Sequence, residues 1–99
     1  MKVEILYFDG CPTYQATHET LAEVLSEEGL EAEVELVAVN TDEEARRLRF
    51  PGSPTIRVDG RDPFPVPKRD DWRLGCRVYA TPEGLRGTPT ADMIRAALG

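Results

Sequence analysis

Val3-Glu4-Ile5-Leu6-Tyr7-Phe8 is the stretch that most narrows the choice of fold. Its two alternating sets, Val3, Ile5, Tyr7 and Glu4, Leu6, Phe8, are both mostly apolar. A strand patterned this way is buried on both faces, so the sheet that holds it needs a covering layer on each side. Asp9-Gly10 ends the run.

Pro12 then opens a helical segment reaching about Glu28, because proline suits a first helical turn where its missing N–H goes unused. Tyr14, His18, Leu21 and Leu25 form one stripe at helical spacing, bordered by Thr17 and Val24. Gly29 supplies the stop. Residues 32–39 alternate, with Glu33 and Glu35 polar and Ala32, Val34, Leu36 and Ala38 apolar, which predicts a half-exposed edge strand. Thr41-Asp42-Glu43-Glu44 is a capping box for a short helix carrying Ala45 and Leu48 inward, with Phe50 following, until Pro51-Gly52 breaks it. A strand begins at Pro54, where a missing donor does least harm, and ends at Asp59-Gly60. Residues 59–75, with Pro63, Pro65 and Pro67, have no period and read as an ordered, extended loop anchored by Phe64 and Trp72. Cys76 to Thr81 reads as a fourth strand, antiparallel to the third. Thr88-Pro89 caps a last helix that turns Met93, Ile94, Ala97 and Leu98 to the core. The expected architecture is an α/β domain over residues 1–99, a mixed four-stranded sheet (βαβαββα) with helices on both faces.

Charge narrows the function classes. The net charge of −6 and the pI near 4.7 argue against the positive footprint that nucleic acid requires. Arg46, Arg47 and Arg49 follow Asp42, Glu43 and Glu44 on one helix, a solvated face with charge pairing. No apolar run approaches the length of roughly 20 residues needed to cross a bilayer, and the first residues lack the pattern of a signal peptide, so the expectation is a cytoplasmic chain without a membrane partner. Composition leaves the oligomeric state open.

The sequence contains two cysteines, Cys11 and Cys76, and one histidine, too few for a structural zinc site, so no metal ligands are assigned. Cys76 reads as a small apolar residue of the core. Cys11 precedes a helix, where free N–H groups and the positive end of the macrodipole favour a thiolate. Asp9, two residues away, opposes it. His18 lies two turns along the helix, roughly 10 Å from Cys11, too far for a general base.

Gly10-Cys11-Pro12-Thr13-Tyr14, followed later by Gly52-Ser53-Pro54-Thr55, resembles the thioredoxin-like superfamily in its small, glutaredoxin-sized form. The resemblance implies a cis Pro54 lying against Cys11, and a substrate site made by Pro12, Ser53, Pro54 and Thr55, with the Ser53 backbone open to an extended peptide or glutathione. It departs from the family at Tyr14, which stands where the Cys-x-x-Cys motif has its second cysteine. Cys11 is thereby left as a single catalytic nucleophile in a thiol–disulfide oxidoreductase, with Tyr14 offering its hydroxyl to sulfur or substrate. The expected partners are thiols or disulfides of proteins or of glutathione, which is a co-substrate; no bound cofactor is implied. Two other classes compete: a catalytically inactive thioredoxin-fold binding or adaptor protein, and soft-metal or organomercurial handling by Cys11 and Cys76 with Asp9 as acid, a looser similarity to organomercury-cleaving enzymes. A fourth strand running from Cys76 to Thr81 would put Cys76 at the end distant from the site, roughly 16 Å away, so a Cys11–Cys76 bond is not expected.

Overall fold

The computed structural model describes residues 1–64, 72 and 74–98. β1 (Lys2–Tyr7) is the central strand of a three-stranded mixed sheet. β2 (Glu33–Ala38) pairs with it in parallel, and β3 (Thr55–Val58) pairs antiparallel on its other side. The two-sided pattern of β1 is used as its alternation requires. Val3 and Ile5 face α1 (Tyr14–Glu27) and α3 (Ala91–Leu98), in a core with Leu21, Val24, Leu25, Ile56, Ile94 and Leu98. Leu6 faces the other way and packs with Val39, Ala45 and Phe50, beneath α2 (Asp42–Leu48). Glu4, the acid interrupting the apolar run, sits opposite Arg57 in the β1–β3 register, a cross-strand pair of opposite charge.

Helix ends follow local chemistry. The Thr41 hydroxyl accepts from the Glu44 N–H at 3.1 Å and also meets the Glu44 carboxylate at 3.2 Å, so the capping box closes through side chains. Arg49 ends α2 in the left-handed region, and Arg57 donates to the carbonyls of Leu48 and Arg49 left free there. Gly29, at φ 62°, follows the end of α1. The buried stripe of α1 is Thr17, Leu21, Val24 and Leu25; Tyr14 and His18 lie at its half-buried margin, not its centre.

Several expectations are corrected. Among the described residues the main sheet has three strands, because the fourth predicted strand starts later and leaves the sheet: β4 (Tyr79–Thr81) pairs antiparallel with β5 (Gly84–Arg86) in a separate hairpin. The third helix is capped by Thr90, whose hydroxyl accepts from the Met93 N–H at 3.2 Å, so Thr88-Pro89 lies ahead of the cap. Helix α1 begins at Tyr14 with Thr13 as its flanking residue, which leaves Pro12 exposed in the turn before it. Residues 65–71 and 73 of the proline-rich 59–75 segment lie outside the described residues. Its beginning is a tight reversal, with paired bonds between Val58 and Arg61 around Asp59 and Gly60, both at positive φ. Phe64 packs on the α1–α3 core and meets the Tyr79 ring edge-on at 5.4 Å.

Candidate functional site

The turn after β1 sets the position of Cys11. The Cys11 N–H donates to the Phe8 carbonyl at 3.0 Å, and the Asp9 N–H donates to Asn40 Oδ1 at 3.3 Å, tying the turn to the end of β2. Cys11 thus stands just ahead of α1, with the first amides of the helix beside its sulfur. Thr13 occupies the helix-capping position, yet its hydroxyl makes no capping bond. Its single proton can be given either to Cys11 Sγ, 3.4 Å away, or to the Gly87 carbonyl, 3.2 Å away. The neighbouring Thr17 hydroxyl contacts Thr88 Oγ1 at 2.5 Å, so Thr13, just ahead of α1, and Thr17, within it, both hold the chain after β5.

Across from the sulfur lies the Gly52–Thr55 turn, in which the Ser53–Pro54 peptide is cis. The Thr55 hydroxyl closes this turn on the Gly52 carbonyl at 2.5 Å. The Tyr79 hydroxyl, also at 2.5 Å, donates to the Pro54 carbonyl. Ser53 Oγ is fully buried and, among the described residues, has no hydrogen-bond partner; the Cys11 sulfur lies close enough to feel it. Burial pushes the Cys11 thiol up, but the Ser53 and Thr13 hydroxyls and the Thr13 and Tyr14 backbone amides near the sulfur favour the thiolate and outweigh it, so the pKa falls below that of an ordinary thiol. Only 4% of Cys11 is exposed.

Cys76 is exposed rather than a core residue. It pairs with Ser53 in an isolated parallel bridge: the Ser53 N–H donates to Gly75 O at 2.8 Å and the Arg77 N–H donates to Ser53 O at 2.9 Å. This corrects the separation expected from sequence. Cys76 precedes β4 and lies beside the Gly52–Thr55 turn, so the strand length used to place it far away does not intervene. The same bridge means that the Ser53 backbone, expected to be open, is already paired with residues 75–77.

Behind this bridge lies a buried ion pair. Arg77, 7% exposed, reaches Asp62 Oδ2 at 2.6 Å, donates to Thr55 Oγ1 and the Phe64 carbonyl at 3.4 Å, and stacks 4.5 Å above the Tyr79 ring. Burial raises the Tyr79 phenol well above its ordinary pKa; Arg77 opposes this, and the charges of Asp62 and Cys11 add to it.

Among the sequence-predicted site residues, the structure gathers Cys11, Ser53 and Pro54. Thr55 is adjacent but spends its hydroxyl on the turn and on Arg77. Tyr14 contributes its backbone amide; its ring stacks on Tyr7 at 4.1 Å and its hydroxyl accepts from Gln15, so the expected hydroxyl contact with sulfur is replaced by a backbone one. Pro12 flanks the sulfur in sequence and faces outward. Thr13, Asp62, Arg77 and Tyr79 were not singled out from sequence. Only Thr13 carried a local signal, as a hydroxyl residue at a helix start. Among the described residues, no group of three or more His, Cys, Asp or Glu side chains is arranged to hold a metal, and no helix is long and apolar enough to cross a membrane. No protein-family model, curated protein or solved structure matches the chain.

Proposed function

We propose that this protein is a thioredoxin-like thiol–disulfide oxidoreductase with Cys11 as its nucleophile. The observation carrying the reading is a sulfur just ahead of α1, 3.4 Å from the Thr13 hydroxyl, beside a cis-prolyl turn whose buried Ser53 hydroxyl, among the described residues, has no hydrogen-bond partner. Donors arranged in this way stabilise negative charge on sulfur more than the neutral thiol. The thiolate attacks a disulfide sulfur, forms a mixed disulfide and expels a thiolate; an outside thiol such as glutathione, abundant in a cytoplasmic setting, then attacks the mixed disulfide and regenerates Cys11. Tyr14 at the second motif position leaves the helix turn without a cysteine to do this. The occupied backbone of Ser53 favours small disulfides over extended protein segments as substrates.

The test is the pH dependence of iodoacetamide labelling, followed separately at Cys11 and Cys76 by peptide mass spectrometry. Because Cys11 is covered, the midpoint of its profile is the informative quantity, not its absolute rate. The expected Cys11 midpoint lies below the ordinary thiol range. A Cys11 midpoint at or above the ordinary thiol value of about 8.5 defeats the reading. It would favour the adaptor alternative, which draws on the low exposure of the sulfur.

A further inference from the structure

Two thiols flank Ser53. On one side its buried hydroxyl lies near the Cys11 sulfur and, among the described residues, makes no hydrogen bond. On the other side Cys76 is its bridge partner. Paired residues on adjacent strands lie about 4.8 Å apart and project their side chains to the same side of the ladder. The Ser53 side chain lies near Cys11, and the bridge puts the Cys76 side chain on the same face of the ladder. Cys76 is exposed and at the outer margin of this layer, free to be approached or to turn inward. A disulfide requires Cα atoms within about 4.4–6.8 Å, so Cys76, one strand spacing from Ser53, has to approach Cys11 past that residue for the bond to form. Residues 74–76 lie outside the regular strands and helices, and they are the part of the chain that has to shift for the two sulfurs to meet.

We propose that Cys76 is the resolving thiol for Cys11, so that the two cycle between a dithiol and an intramolecular Cys11–Cys76 disulfide; this rests on Cys11 being the nucleophile proposed above. In the first step the Cys11 thiolate attacks a small disulfide RSSR: a Cys11–SR bond forms, the original S–S bond breaks, and one RS⁻ leaves. In the second, Cys76 releases its proton to solvent and its thiolate attacks Cys11 Sγ: the Cys11–Cys76 bond forms and the remaining RS⁻ leaves. The protein gives up an electron pair, RSSR accepts it, and both departing thiolates take up protons according to their pKa values. The resolving function that Tyr14 cannot supply within the helix turn is thereby supplied from the segment bridging the prolyl turn. An external thiol is then needed to reduce the protein again, not to release its first product.

The full-length protein, its Cys76→Ser variant and its Cys11→Ser variant are exposed to oxidised glutathione, quenched with acid and N-ethylmaleimide over a time course, and digested with trypsin. In the unaltered protein the expected product links tryptic peptide 3–46 to peptide 74–77, with glutathione on Cys11 only transient. In Cys76→Ser, which changes an exposed side chain, glutathione remains on Cys11 with a lifetime longer by about tenfold or more, since resolution loses its intramolecular partner. Linked peptides absent, with glutathione persisting on Cys11 equally in both proteins, overturns the resolving role and leaves the nucleophile standing. Glutathione found only on Cys76, with Cys11 unmodified in every protein that retains it, overturns both.

Discussion

Replacing Asp62 by asparagine removes one charge and little else. Asparagine keeps an Oδ1 acceptor for the Phe64 N–H, which donates to it at 2.9 Å, and it retains the shape of the side chain. What is lost is the counter-charge of Arg77, a guanidinium 7% exposed and 2.6 Å from the carboxylate. Removing one member of a buried pair costs about 3–5 kcal/mol, because the other stays desolvated without compensation. Asp62 is 17% exposed, and Arg77 keeps the Thr55 hydroxyl, the Phe64 carbonyl and the Tyr79 ring. These place the effect at the lower end, about 3 kcal/mol. Against a total stability of about 5–15 kcal/mol for such a domain, that is a large fraction. With a urea slope of about 1–3 kcal/mol per molar, the midpoint falls by about 1–3 M. Combining Asp62→Asn with Arg77→Met removes the stranded cation while keeping an unbranched apolar stem over Tyr79. The double variant is expected to be more stable than Asp62→Asn alone. A single variant within about 0.5 kcal/mol of the parent, the range of exposed ion pairs, would refute the reasoning. So would a double variant whose loss equals the sum of the two single losses.

Three further outcomes follow from the same region. Thr13→Val removes one hydroxyl from the Cys11 sulfur, and the labelling midpoint of Cys11 is expected to rise by about one pH unit, since hydrogen bonds to charged groups are worth about 1.5–3 kcal/mol. Tyr79 keeps its proton in the folded protein above the pH at which the unfolded chain loses it, so stability is expected to fall above about pH 10, by about 1.4 kcal/mol at pH 11; Tyr79→Phe loses the Pro54 hydrogen bond at every pH but not this alkaline increment, as urea midpoints at pH 8 and 11 would reveal. Gly52→Ala places a Cβ 2.9–3.0 Å from the Cβ and backbone of Arg77 at φ 137°, so it is expected to displace residues 75–77 from Ser53 and speed hydrogen exchange of the Ser53 and Arg77 amides.

Legibility varied with how local the determining interactions are. The two-sided burial of Val3–Phe8, the capping box at Thr41 and the stop at Gly29 each depend on a few neighbouring residues, and the structure uses them as their patterns indicate. The region after Val58 depends on distant partners. Arg77 is buried because Asp62, fifteen residues earlier, neutralises it, and Val78 beside it is 60% exposed, the reverse of what hydropathy predicts. That inversion hid the true start of β4. β5 has no buried residue, so it carried no alternation to read. At the site, Cys11 and Ser53 were legible as residues, but the position of Cys76 depended on a strand boundary misplaced by three residues, from 76 to 79.

The pairing of Ser53 with Gly75 and Arg77 makes the chain its own ligand at this place. A tethered segment competes at an effective concentration of about millimolar or above, without the translational cost borne by a free peptide. Any visiting polypeptide that sought the same two backbone bonds would have to evict a resident held down by the Arg77–Asp62 anchor. Selectivity among partners can thus be exercised by main-chain vacancy, before any side chain is read.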